Sequence, residues 1–192
     1  MRIIILLLFV VGCSTKQPEN KMEPIKIPTD TTSVMEQIPL GAAKEEFADT
    51  PGLVKITLQS AEGTYLQGNK QGTWNEYYPN GLVKTVTSYV NGEKEGLYIE
   101  LTNNGQLTKR FYFHKGLRHG EYKEYNYSNL KEERLYRLGK IEGTVKIYYD
   151  NAKLMEEGLY KNGLRDGVSK WYDQEGKLSI QYEYKNGELV KK

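Results

Sequence analysis

A glycine, three mostly polar residues and a second glycine recur through this chain as Gly68 and Gly72, Gly92 and Gly96, Gly116 and Gly120, Gly139 and Gly143, and Gly163 and Gly167. The first glycines stand 24, 24, 23 and 24 residues apart, and Gly187, 24 further on, opens a sixth unit. A unit this short cannot bury a core alone, so it must stack on copies of itself, and the chain is a repeat protein.

Each unit carries two turn signals. Asn-Gly stands in mid-unit at Asn80-Gly81 and Asn104-Gly105, and at unit boundaries at Asn91-Gly92, Asn162-Gly163 and Asn186-Gly187. Both residues tolerate the positive φ that a type I′ hairpin turn requires. Two strands of about five to eight residues per unit are expected, joined as a meander. One residue is missing between Tyr125 and Leu130, with Ser128-Asn129 where the turn glycine belongs, so the third hairpin should be tighter or irregular. Asn151-Ala152 is a second imperfect turn. In each glycine pair the first reads as a positive-φ turn residue and the second as a site of close strand approach.

On the second strand, Val83, Leu107, Leu130, Leu154 and Leu178 share one position, and Tyr89, Phe113, Tyr136, Tyr160 and Tyr184 another six residues later. An even separation places both rows on one side. On the first strand, Trp74, Tyr98, Tyr122 and Val145 align, with Ser169 breaking the row; Tyr77, Leu101, Tyr125, Tyr148 and Tyr172 follow three residues on. An odd separation calls for a bulge or for an aromatic row on each face. Before the array, Val54, Ile56 and Leu58 alternate with polar residues as a half-buried strand does. A turn at Ser60 to Gly63 and a return at Thr64 to Gln67 complete a cap over an otherwise open sheet edge.

The first twelve residues read as an export signal, with Arg2 followed by an apolar run from Ile3 to Val11, far shorter than the ~20 residues of a spanning helix. Val10, Val11, Gly12 and Cys13, the chain's single cysteine, resemble a bacterial lipobox, in which the cysteine takes a diacylglycerol and becomes the new N-terminus. Such a lipid implies a lasting membrane anchor, and Ser14 after the cysteine favours the outer over the inner membrane by the sorting rule that goes with the resemblance. Residues 13–50 hold four of the six prolines among Lys, Glu, Gln and Thr, the composition of an extended tether.

Units such as Gly72 to Leu82 and Gly167 to Leu178 resemble the variant MORN repeat of bacterial YwqK-family antitoxin-like proteins. The resemblance implies an elongated antiparallel sheet used as an interaction surface.

No enzyme chemistry is legible. The glycine pairs lack the apolar helix of a membrane dimerisation motif and the Lys-Ser/Thr of a phosphate loop. His114 and His119 have no third metal ligand in the pattern, and Glu76, Glu100 and Glu124 read as a solvated face. Interspersed charge, 27 basic against 25 acidic residues, argues against nucleic acid. The expectation is an all-β, elongated, single-layer antiparallel meander of MORN-type hairpins. It comprises a signal peptide at 1–12, a tether at 13–50, capping strands at 51–67 and the array at 68–192. No cofactor, no metal and no catalytic residue is expected. The candidate binding surface is Trp74, Tyr77, Tyr98, Tyr122, Tyr125, Tyr148, Trp171 and Tyr172, presented to a protein partner by a lipoprotein anchored through Cys13. A glycan or cell-wall module is one alternative, an immunity or antitoxin-type protein another.

Overall fold

In the computed structural model, which describes residues 38–191, the boundary turns take the expected left-handed pair. Asn91 and Gly92 have φ of 50° and 84°, and Asn162 and Gly163 of 53° and 87°. The same pair forms at Gln67-Gly68, Lys115-Gly116 and Leu138-Gly139, where no asparagine marks it. Mid-unit turns differ from the type I′ expectation: at Asn80-Gly81 only the glycine has positive φ. The Tyr78 N–H donates to the Leu82 carbonyl and the Gly81 N–H to the Tyr78 carbonyl, which closes a three-residue loop, Pro79-Asn80-Gly81, as a type I turn with an αL glycine. The fixed φ of Pro79 suits its first central position. Thr102 to Gln106, Tyr149 to Lys153 and Asp173 to Lys177 repeat this pattern. The third unit is indeed tighter, turning on Tyr127 and Ser128, both at positive φ, with Asn126 paired to Asn129.

The strands are β1 (Ala43–Glu46), β2 (Leu53–Thr57), β3 (Ala61–Leu66), β4 (Asn69–Tyr77), β5 (Val83–Val90), β6 (Glu93–Leu101), β7 (Leu107–His114) and β8 (Leu117–Asn126). They continue as β9 (Asn129–Arg137), β10 (Lys140–Ile141), β11 (Gly143–Tyr148), β12 (Leu154–Lys161), β13 (Leu164–Tyr172), β14 (Leu178–Lys185) and β15 (Glu188–Lys191). They form one open antiparallel sheet in sequence order, with β10 a short extension paired to β9. The sheet starts earlier than composition suggests. β1 lies inside the stretch read as tether and pairs with β2 from Ala43 opposite Thr57 to Glu46 opposite Val54. Its side chains are all exposed, so backbone pairing alone holds it and no hydrophobic alternation announces it. Gly63 lies within β3, not in a turn. Residues 1–12, Cys13 and the tether up to residue 37 lie outside the described residues.

A break in register marks every unit at its second glycine. Thr87 faces Tyr98 and Tyr89 faces Lys94, so Ser88 alone stands opposite Glu95, Gly96 and Leu97. The same shift occurs at Glu62/Thr64, Phe111/Phe113 and Gly158/Tyr160. The second glycine is therefore a positive-φ bulge residue, at 91° for Gly96, and the close approach expected of it occurs among these glycines at Gly167, where a Cβ would stand 3.0 Å from Leu159 Cδ1. The closest approaches occur at glycines outside the pairs, at Gly63 against the Trp74 indole and at Gly158, where a Cβ would stand 2.8 Å from Ser169 Oγ.

Two apolar clusters anchor the sheet. Ile38, Val54, Ile56, Tyr65 and Trp74 form the first, and Phe111, Tyr122 and Tyr136 the second, with Tyr98, Phe113 and Ile141 packed against it. Burying a side chain such as Ile56 contributes about 1.5–3 kcal/mol. Both clusters lie on one face, because a line of cross-strand partners from Trp74 through Thr87 and Tyr98 to Phe111 joins them on one side.

Candidate functional site

The two first-strand aromatic rows lie on opposite faces, as their three-residue offset requires, because the register shift before each second-row residue places its extra residue on the partner strand. Trp74, Tyr98 and Tyr122 point to the face that holds the clusters, together with Trp171 from the last full unit; Tyr77, Tyr148 and Tyr172 point to the other. The eight candidate residues therefore do not make one surface. Trp74 and Tyr122 are 6% and 5% exposed and serve as core, while Tyr98, Tyr125 and Trp171 are half-buried.

On the aromatic face a row of basic residues runs beside the rings, two positions before each second glycine: Lys70, Lys94, Arg118 and Arg165, with Ile141 in place of a cation in the fourth unit. Lys70 Nζ lies 4.1 Å from the Trp74 ring centre and 5.1 Å from that of Tyr89. Lys94 Nζ is 5.1 Å from Phe113. The Arg118 guanidinium is 5.0 Å from Phe111, 5.5 Å from Tyr122 and 5.6 Å from Tyr136, and that of Arg165 is 5.2 Å from both Tyr160 and Trp171. These are cation–π distances. The candidate residues did not include this row, although its 24-residue recurrence is written in the sequence.

The backbone that carries the cations is fixed by the next turn. The N–H of each following boundary glycine donates to the carbonyl of the basic residue: Gly92 to Lys70 at 2.9 Å, Gly116 to Lys94 at 3.0 Å and Gly139 to Arg118 at 2.7 Å. The neighbouring residue accepts from the next turn as well. Gln71 Oε1 takes the Asn91 N–H at 2.9 Å, Glu95 Oε2 the Lys115 N–H at 2.7 Å, and Glu142 Oε2 the Asn162 N–H at 3.0 Å. In the third unit His119 Nδ1 fills this role toward Leu138 at 3.4 Å. His114 Nδ1 meets Glu95 Oε1 at 2.9 Å, so both histidines belong to the turn ladder. No metal-ligand cluster forms among the described residues.

The opposite face carries a tyrosine–carboxylate row. The hydroxyls of Tyr77, Tyr148 and Tyr172 donate to Glu62, Glu133 and Glu157 at 2.6, 2.6 and 2.8 Å, each tying one unit to the one before. The Tyr77 hydroxyl and then Asn75 hold the Glu62 carboxyl below the usual range. The Tyr172 hydroxyl leads in doing the same for Glu157, aided by Lys170. On the aromatic face, burial and then Glu100 push the Tyr98 phenol up to about 12, and burial pushes the Lys70 ammonium down. Such shifts follow from desolvation and from hydrogen bonds to one protonation state.

Among curated proteins none matches the sequence. Similarity to solved structures is low: a crystal structure of a TarM mutant from S. aureus in complex with fondaparinux, α-GlcNAc-glycerol and UDP aligns with a TM-score of 0.29 at 9% identity. A crystal structure of TarM aligns with a TM-score of 0.30, also at 9% identity. Each alignment covers 83% of this chain and 22% of the other, so this chain spans about a fifth of that protein's length, and nothing about function follows from either. The family model of the MORN repeat variant matches residues 70–91, 141–162 and 165–186, so those three segments of the sheet are similar to MORN-variant repeats.

Proposed function

We propose that this protein is a non-enzymatic interaction protein of the cell envelope, anchored through lipid on Cys13 and presenting its repeat sheet to a protein partner. The observation that carries the reading is the register of the aromatic face. The same chemical pair, a cation over a ring, returns at Lys70, Lys94 and Arg118 on backbone fixed by the next turn. A one-dimensional array of this kind offers an extended contact surface in which the first three units repeat the same cation-and-ring chemistry. The lipobox-like Val10 to Cys13 supports the anchor, and Ser14 favours the outer membrane.

Proximity labelling in the native envelope tests this. The wild type should mark a defined protein neighbour in the membrane fraction, and Cys13→Ala should release the chain from membranes and lose that neighbour. Membrane retention of Cys13→Ala, with no lipid label on the wild type, contradicts the anchor.

A further inference from the structure

Lys70, Lys94 and Arg118 share a property that the other charges of the aromatic face lack: among the described residues, no carboxylate oxygen lies within ion-pair distance of them. The carboxylates of that face other than Glu76 are already paired with cations. Lys109 Nζ is 3.0 Å from Glu100, Lys131 Nζ is 3.0 Å from Glu124, and Arg134 binds Glu132. Glu76 accepts only from the neutral Thr85 hydroxyl at 3.0 Å and acts on Lys70 from beyond ion-pair distance. Arg165 is taken by Glu156 and by Ser169, and Ile141 ends the row in the fourth unit. What remains is a run of three unpaired cations over the first three units, with the half-buried rings of Tyr89 and Phe113 between them.

Their spacing is set by the fold. Each unit contributes two strands, and strands lie about 4.8 Å apart, so equivalent positions recur at about 9.6 Å. A polyproline II segment has three residues per turn and rises about 3.1 Å per residue, so its same-side residues recur at about 9.3 Å. A β-strand returns to one side every ~6.6 Å, which falls out of step with the cations at once. Aromatic-lined surfaces are also what polyproline II segments dock on.

We propose that this row binds an acidic polyproline II segment of a protein partner, with carboxylates at every third residue over Lys70, Lys94 and Arg118 and the intervening prolines against Tyr89 and Phe113. The proposal rests on the interaction-surface reading above and names the chemistry of the partner.

The test is a fluorescence-anisotropy titration of the full chain in detergent with a labelled peptide of about five Glu-Pro-Pro repeats. Its controls are a Gln-Pro-Pro peptide and polygalacturonate. Glu-Pro-Pro should bind, more weakly as salt rises, and Gln-Pro-Pro should bind at least about tenfold less tightly. Lys94→Met and Arg118→Met keep apolar stems over Phe113 and Phe111 while removing charge. The double variant, checked for an unchanged denaturation midpoint, should lose about tenfold or more in affinity for Glu-Pro-Pro. If it proves unstable, the salt dependence and the Gln-Pro-Pro comparison on the wild type carry the test. Equal binding of both peptides, undiminished binding by a folded double variant, or binding of polygalacturonate without the peptide would each overturn the proposal, the last by making the surface a glycan site. If the peptide fails while proximity labelling still finds a protein neighbour, only this assignment falls; loss of every neighbour overturns the interaction-surface reading itself.

Discussion

The indole of Trp74 lies against the backbone of Gly63, in the space where any side chain at residue 63 would stand. Its Nε1–H donates to the Thr64 carbonyl at 3.0 Å, and the Tyr65 ring meets it edge-on with centres 5.2 Å apart. This is the joint between the N-terminal cap and the first repeat. Gly63→Ala should therefore destabilise the protein by about 2–3 kcal/mol, the cost of overpacking a site whose neighbour is a fixed ring. Urea denaturation checks it, and an effect below about 0.5 kcal/mol, ordinary for a surface change, would show that Trp74 is free to move.

Ala152 occupies the αL position that Gly81, Gly105 and Gly176 hold in the other three-residue loops, with φ of 62°. An L-residue there costs about 1 kcal/mol that glycine does not incur. Ala152→Gly should raise stability by up to about 1 kcal/mol and Gly81→Ala should lower it by a similar amount. Opposite signs in one denaturation series are the expected result.

Acid should loosen the ties between units. The folded state holds the Glu157 carboxyl below its ordinary value of 4.5, chiefly through the Tyr172 hydroxyl. A carboxyl depressed on folding contributes stability that is fully present above its ordinary value and is lost as pH falls through the lowered folded value. Tyr172→Phe should therefore be less stable than wild type at neutral pH, and the gap should close as pH falls below the ordinary carboxyl value of 4.5 and through the lowered folded one. A gap that stays constant over that range would assign the effect of Tyr172 to packing.

Alkali reads the aromatic face. Burial raises the Tyr98 phenol from 10.0 to about 12, so its stabilisation is complete below the ordinary value and is lost as pH rises through the folded one. Phenolate absorbance of the folded chain should lag behind that of the urea-denatured chain above pH 10, and Tyr98→Phe should remove part of the lag. Superimposed curves would contradict the burial.

The fold was legible where one residue type is demanded by one conformation. Asn91-Gly92 and Asn162-Gly163 announce type I′ turns because few other pairs hold two positive φ values. Asn80-Gly81 misled because Pro79 admits a three-residue loop that uses only one of them. β1 escaped notice because Ala43–Glu46 buries no side chain, so its pairing leaves no hydrophobic trace. The candidate site was half legible: period alone finds the rings, yet Trp74 and Tyr122 turn out to be core. Lys70, Lys94 and Arg118 look like ordinary solvated charge until the rings beneath them and the absence of a carboxylate beside them are seen.

Which face meets the proposed partner is the central matter. A photo-reactive phenylalanine analogue at Tyr89 sits between Lys70 and Lys94 on the aromatic face, and one at Leu159, 44% exposed, sits on the opposite face. In intact cells the Tyr89 probe should give a discrete protein adduct that Lys94→Met with Arg118→Met abolishes, while the Leu159 probe gives none. An adduct from Leu159 alone would place the interaction on the tyrosine–carboxylate face and contradict the account.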